Sequence, residues 1–179
     1  MRSLETKRLI LRKFNTTDVK AVYDYAKLDT VGPMAGWKPH KNKKETRAVI
    51  DNFIKKDDVY ALVFKDTRKV IGSIGVHLTE LGSLGEVYEL GYVLHPKFHR
   101  MGLMTEAIDI ILYEVFFERN IDCLYVGHFY ENLASQKLIE KIGFEWIEDI
   151  LYQSRDYGEK KAKIYQLTKL NFVLMKGEK

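Results

Sequence analysis

The chain has one cysteine, Cys123, among 179 residues. No intramolecular disulfide can staple it, and a reducing compartment suits it. Proline is scarce: Pro33 and Pro39 bracket one short stretch, and Pro96 stands alone. Low-complexity and linker character are therefore absent, and one domain over residues 1–179 is expected. No apolar run approaches the ~20 residues a membrane helix needs. The opening Met1-Arg2-Ser3-Leu4-Glu5 lacks the apolar core of a signal peptide. A cytoplasmic protein with no membrane partner is expected. Neither sign of charge dominates, with 29 basic against 25 acidic residues and a net charge of +4. Basic residues gather at 38–47 and 160–169, but acidic ones interleave, and no aromatic-basic platform for a single strand recurs. Nucleic acid is not expected as a partner, although a modest positive field would gather a polyanionic ligand. Several chemical motifs are also missing. There is no Gly-Lys-Ser/Thr phosphate loop, no Gly-x-Gly-x-x-Gly after a strand and no Gly-x-Ser-x-Gly elbow. His40, His77, His95, His99 and His128 fall at no metal-ligand spacing, so no metal is expected.

The apolar residues that are present, 46% of the chain, are ordered in pattern. Arg8 to Arg12 reads as a strand. Asn15 to Asp18 offer caps for a helix with apolar positions Val19, Val22, Tyr23 and Ala26. A turn-rich piece, Gly32 to His40, follows. Asn42 with Glu45 resembles a capping box for a helix facing inward through Val49, Ile50, Phe53 and Ile54. Val59–Lys65 and Val70–Leu78 read as a hairpin, and Val87–Leu94 as a third strand ended by Pro96. Gly102 to Arg119 has a broad apolar face and reads as one helix, with Asn120 a left-handed cap. Strand, helix and two strands follow at 123–129, 132–141, 144–153 and 162–169. This succession describes an α+β domain with a mixed sheet.

The stretch Pro96-Lys97-Phe98-His99-Arg100-Met101-Gly102-Leu103-Met104-Thr105-Glu106-Ala107 carries most information. A strand ends, a glycine turns the chain, and a long helix begins. Unpaired N–H groups and the positive end of the helix dipole suit a pyrophosphate there. Gly102 lets backbone approach without a Cβ, and Arg100 offers a charge-assisted contact. A plain strand-to-helix turn needs the same glycine, so this stretch alone leaves both readings open. It resembles the acetyl-coenzyme A signature of the GNAT superfamily, Gln or Arg followed by x-x-Gly-x-Gly or Ala. His99 occupies the first position, Gly102 the central one and Met104 the last. His99 and Met104 depart from the pattern. Met104 either shifts the helix start or points away from the cofactor.

A second segment, Asn132-Leu133-Ala134-Ser135-Gln136-Lys137-Leu138-Ile139-Glu140-Lys141-Ile142-Gly143-Phe144, resembles the family's Asn-x-x-Ser…Glu-Lys-x-Gly-Phe. Physically, Asn132 caps a helix, Gly143 ends it and Phe144 begins a core-facing strand. Glu5 to Arg12 and Gly36 to His40 resemble the ribosomal-protein N-terminal (Rim-type) branch, and the likeness spans nearly the whole chain.

The resemblance implies a GNAT fold: a central, mixed, mostly antiparallel sheet of six to seven strands flanked by four helices. It implies transfer of acetyl from acetyl-CoA to a primary amine by direct attack in a ternary complex. Cofactor contacts are then expected from Tyr92, Val93, Leu94, His99, Arg100, Met101, Gly102, Leu103, Met104, Thr105, Asn132 and Ser135. Glu89 is the candidate general base, acting through a water, against a plain strand glutamate. Relatives carry a tyrosine as acid where this chain has Ile139, which leaves Ser135 as catalytic hydroxyl or as a pantetheine contact. The acceptor is a protein N-terminal amine or, alternatively, a polyamine, antibiotic or metabolite amine. A non-catalytic coenzyme A sensor is the competing class. Monomer and homodimer both remain open. Acceptor choice is expected to lie in Gly32 to His40 and beyond Phe129.

Overall fold

The computed structural model describes residues 1–177. Its strands are β1 (Leu4–Glu5), β2 (Leu9–Lys13), β3 (Val59–Phe64), β4 (Lys69–Glu80), β5 (Glu86–Leu94), β6 (Cys123–Phe129), β7 (Glu145–Ser154) and β8 (Gly158–Thr168). Its α-helices are α1 (Val19–Ala26), α2 (Lys43–Lys56), α3 (Leu103–Tyr113), α4 (Leu133–Ile142) and α5 (Lys169–Gly177). The strands form one sheet in the order β1-β2-β3-β4-β5-β6-β8-β7. Every neighbouring pair is antiparallel except β5 and β6, which run parallel. The α3 crossover makes that parallel step.

Alternation along β3 shows how the sheet is covered. Tyr60, Leu62 and Phe64 join a core that includes Leu103, Met104, Ile108, Ile111 and Phe116 from the α3 segment, Ile139 from α4 and Phe172 from α5. Val59, Ala61 and Val63 join Val22, Tyr25, Ala26 and Ile50 from α1 and α2. A strand sandwiched this way is apolar at every position, and all six β3 residues are buried. Each fully buried leucine, isoleucine or phenylalanine contributes about 1.5–3 kcal/mol. Those side chains hold the sheet between its two helical layers. Among the described residues no helix is long and apolar enough to cross a membrane.

The eight strands and five helices exceed the expected counts by short or terminal elements. β1 is two residues long and pairs Leu4 with Leu11, too little for any periodicity to reveal. The expected strand at 162–169 stops at Thr168, and α5 begins at once. Phe172 buries its ring there against Phe116. The expected helix 102–119 is α-helical only to Tyr113. A π turn follows over Glu114–Glu118, closed by the Arg119 N–H donating to the Glu114 carbonyl at 2.9 Å. The wider turn keeps Val115 and Phe116 both in the core. Asn120 is left-handed, with φ of 51°. The Asn42 side chain accepts from Glu45 N–H, but the Glu45 carboxylate reaches Lys41 N–H instead of closing the box on Asn42.

Candidate active site

β5 and β6 share a single registered pair, Glu89 with Tyr125. Beyond it the strands part, while β5 continues paired to β4 through Leu94. Among the described residues the β6-facing backbone edge of β5 from Gly91 to Leu94 has no strand to bond. This slot opens into a cavity of about 700 Å³ lined by residues of both sheet faces, among them Tyr25, Trp37, Phe53, His77, Glu89, Tyr92, Phe129, Ser135, Tyr152 and Arg155. That volume accommodates a small organic ligand.

At one end of the slot lies the α3 N-terminus. Its first intrahelical bond runs from Glu106 N–H to the Gly102 carbonyl at 3.1 Å, and no side chain among the described residues caps the turn. The N–H groups of Gly102, Leu103, Met104 and Thr105 therefore precede the helical ladder. Arg100 and Gly102 are both left-handed, with φ of 61° and 74°, on either side of Met101. Such alternation turns successive N–H groups toward one concavity. The loop is held from behind. Glu106 accepts from the Arg8 N–H and the Arg8 Nε, each at 2.7 Å, and from the Thr6 hydroxyl. A second guanidinium nitrogen of Arg8 donates to the Met101 carbonyl at 2.8 Å. Burial pushes the Glu106 carboxyl up, but these hydrogen bonds outweigh it and hold the group below its ordinary value.

The two departures from the signature have structural accounts. Met104 is buried in the α3 core, so its side chain leaves the turn. The His99 ring lies against the end of β5, where Nε2 donates to the Leu94 carbonyl at 3.0 Å. It secures the loop to the strand. Arg100 and Met101 are exposed and Leu103 is buried, so only the backbone of Leu103 can face a ligand. A Cβ on Gly102 would meet Arg8 Nη2 at an ordinary 3.5 Å. A side chain at this position is strained by the left-handed backbone, at a φ of 74°.

Asn132 caps α4 by accepting from Ser135 N–H at 3.1 Å, and donates to the Met34 carbonyl at 3.2 Å. Gly143 ends α4 at φ of 102°, and Phe144 is buried. Ser135 is buried, and its hydroxyl shares a 2.7 Å hydrogen bond with the Tyr92 hydroxyl. Burial pushes the Tyr92 phenol up to about 12, with the serine bond opposing part of that rise. Tyr92 is among the expected cofactor contacts, whereas Ile139, where relatives carry a tyrosine, is core. Alternation supplies the signal for the place of the Tyr92 phenol: Leu90, Tyr92 and Leu94 share one face of β5 with α3 and α4.

Glu89 lies on the opposite face, half-buried and lining the cavity. Burial pushes its carboxyl up to about 7, and Tyr152 beside it opposes the rise. The Tyr152 phenol in turn is pushed up to about 12 by burial and by the Glu89 charge. A Cβ on Gly127 would come within 3.5 Å of Glu89 Oε1, so the carboxyl leans along the mouth of the slot. Val93 is half-buried on this same face. The turn-rich loop reaches the cavity through Met34, Ala35, Trp37 and His40. It is fastened to the β7–β8 hairpin by Lys38 N–H donating to Asp156 at 2.9 Å. Cys123 is half-buried with its thiol pushed up by burial, which disfavours a thiolate. Among the described residues no cluster of three or more histidine, cysteine or acidic side chains could hold a metal.

The family model of the acetyltransferase (GNAT) domain matches residues 8–145. An uncharacterised N-acetyltransferase, YoaA, of Bacillus subtilis (strain 168) is 28% identical over 147 residues, covering 79% of this chain and 82% of its own. A GNAT-family acetyltransferase structure from Bacillus anthracis superposes with a TM-score of 0.82 at 21% identity, covering 94% of this chain and 99% of that one. The ribosomal-protein-S5-alanine acetyltransferase of Vibrio fischeri superposes at 0.72 and 15% identity, covering 96% and 99%. At such identities the two structures speak for the fold. Sheet, slot and family match together show that this chain belongs to the GNAT acetyltransferases, enzymes that use acetyl-CoA as co-substrate to acetylate amines.

Proposed function

We propose that this chain transfers acetyl to a primary α-amine, such as a protein or peptide N-terminus, by direct attack in a ternary complex. The observation that carries the reading is the place of Glu89, a cavity-lining carboxyl where β5 and β6 part, which burial pushes up to about 7. An α-ammonium has a pKa of about 7.7–8.0, so passing its proton to Glu89 is uphill by only about one unit, about 1.4 kcal/mol. A lysine-type ammonium near ~10.4 faces more than three units. The Vibrio fischeri protein of the same fold is named for alanine on a ribosomal protein, in line with an α-amine acceptor.

The residues fit acetyl-CoA. Uncapped amides from Arg100 to Thr105 would hold its pyrophosphate, and the β5 edge at Tyr92 to Leu94, where among the described residues only the Leu94 carbonyl already accepts from His99, would pair with its pantetheine arm, with Asn132 and Ser135 alongside. Bound there, it supplies a thioester carbonyl to the slot. Glu89 takes a proton from the amine, directly or through a water. On the other face, burial keeps Tyr92 protonated throughout the physiological range, so its hydroxyl, coupled to Ser135, donates a hydrogen bond to the departing sulfur. Coenzyme A release should be followed with a peptide bearing a free N-terminus, its N-acetylated form, and a polyamine. Turnover with the first alone is expected. Turnover confined to the polyamine would overturn the α-amine reading, and none with any amine would favour a coenzyme A sensor.

A further inference from the structure

A second polar group stands beside Glu89. In the β4–β5 register His77 pairs with Glu89, and Gly75 pairs with Gly91. Directly paired residues project to the same face with Cβ atoms about 5 Å apart. Glu89 also pairs with Tyr125 across the parallel step, and Gly127, two residues further along β6, shares the face of Tyr125 where the strands part. Gly75 and Gly91 thus lie side by side with Gly127 across the slot, and the side chains of His77 and Glu89 lean over these glycines. A Cβ on Gly75 would come within 3.2 Å of His77 Nε2, one on Gly91 within 3.8 Å, and one on Gly127 within 3.5 Å of Glu89 Oε1. These glycines clear a floor on which both polar groups face the same cavity.

The His77 ring is oriented. Its Nδ1 donates to Asp58 Oδ2 at 2.9 Å. Asp58 follows the left-handed residue Asp57 that ends α2, and directly precedes β3, so its backbone is set by both elements. The other oxygen, Asp58 Oδ1, is buried without a hydrogen-bond partner among the described residues. The Asp58 carboxylate is thereby committed to the imidazole. With the proton fixed on Nδ1, a neutral ring keeps a lone pair on Nε2, and Nε2 lies over the Gly75–Gly91 pair.

We propose that His77, held by Asp58, is a second hydrogen-bond acceptor for the substrate amine and makes the site selective for primary over secondary amines. The inference rests on the acetyl-transfer reading above. During attack a primary nitrogen carries two hydrogens besides its own carbon and the incoming acyl carbon. Glu89, having passed the ammonium proton on to solvent, takes one, and His77 Nε2 accepts a hydrogen bond from the other. A secondary nitrogen carries one hydrogen, which Glu89 takes, so Nε2 faces an alkyl group and is left unpaired.

The test compares kcat/KM for an alanine-starting peptide and its N-methylalanine counterpart in the parent enzyme, His77→Phe, His77→Gln and Asp58→Asn. A hydrogen bond of this kind corresponds to about 10- to 100-fold. The parent should prefer the primary amine by at least that factor. His77→Phe should lower kcat/KM on the primary amine by about the same factor, leave the KM for acetyl-CoA unchanged and reduce the preference to a few-fold. His77→Gln, whose amide oxygen can take the place of Nε2, should recover part of the loss. Asp58→Asn should fall between, because the ring remains but is no longer locked. An unchanged preference in a folded His77→Phe or Asp58→Asn enzyme overturns the proposal while the acetyl-transfer reading stands. A parent inactive on every peptide amine overturns both.

Discussion

Glu89 carries a cost that its proposed role explains. Its folded-state value, about 7, lies above the ordinary 4.5, so burial favours the protonated carboxyl. The sign follows: full stability is kept below the unfolded value and is lost as pH rises through about 7. Glu89→Gln should match the parent's stability near pH 4 and exceed it above pH 7, by on the order of 2–3 kcal/mol. Thermal melts across pH read this directly. The same variant should lose about 10²–10⁴-fold in turnover, and the rise in parental rate through pH about 7 should vanish. A retained inflection would remove Glu89 as the base. Tyr92→Phe tests the other face of the slot. It deletes one hydroxyl of the Tyr92–Ser135 pair, and turnover should fall about 10²-fold at saturating acetyl-CoA with little change in cofactor affinity. Weakened binding with intact turnover would make the pair a pantetheine contact only.

At the scale of elements, the α3 turn and its backing form one unit. Gly102 sits at φ of 74°, where a β-branched residue is strained by about 1–3 kcal/mol. Gly102→Val should therefore lower the melting point and, by rotating the amides of the turn, weaken acetyl-CoA binding. Affinity unchanged in a folded variant would identify a plain turn. Glu106→Gln probes the backing. It discharges the group that ties Thr6 and Arg8 to the first turn of α3, and hydrogen bonds to a charge contribute about 1.5–3 kcal/mol. The expected outcome is a comparable loss of stability, read by urea denaturation at neutral pH. Acid should narrow the difference, because the Glu106 contribution is present above the ordinary carboxylate range and fades as pH falls below it.

For the whole molecule, the slot splits the sheet into β1–β5 and β6–β8, joined across one registered pair. A ligand that fills it would bond strand edges on one side and α3 and α4 on the other. Coenzyme A at a hundred times its dissociation constant should stabilise the fold by about 2.7 kcal/mol. For a chain of this size that raises the melting point by about 5–10 °C. Calorimetry with coenzyme A checks this apart from catalysis, and no shift at millimolar ligand would mean that the slot is not its site.

Features written within a few neighbouring residues were legible in the sequence: the uncapped glycine turn before α3, the Asn132 and Gly143 ends of α4, and the strands with their Pro96 stop. Such signals depend on backbone preference and local periodicity, which a short segment carries by itself. The start of α5 was of this kind too, since the Thr168 hydroxyl accepts from Asn171 N–H at 3.2 Å. Its position directly after a strand obscured it. Tertiary structure alone decided the rest. Ser135 meets Tyr92 across 43 positions and His77 meets Asp58 across 19, because strand register and helix packing bring them together. Glu89 acquires its raised value from burial, which no local pattern encodes. The residue types were present in the sequence; their faces, neighbours and protonation follow from how eight strands align.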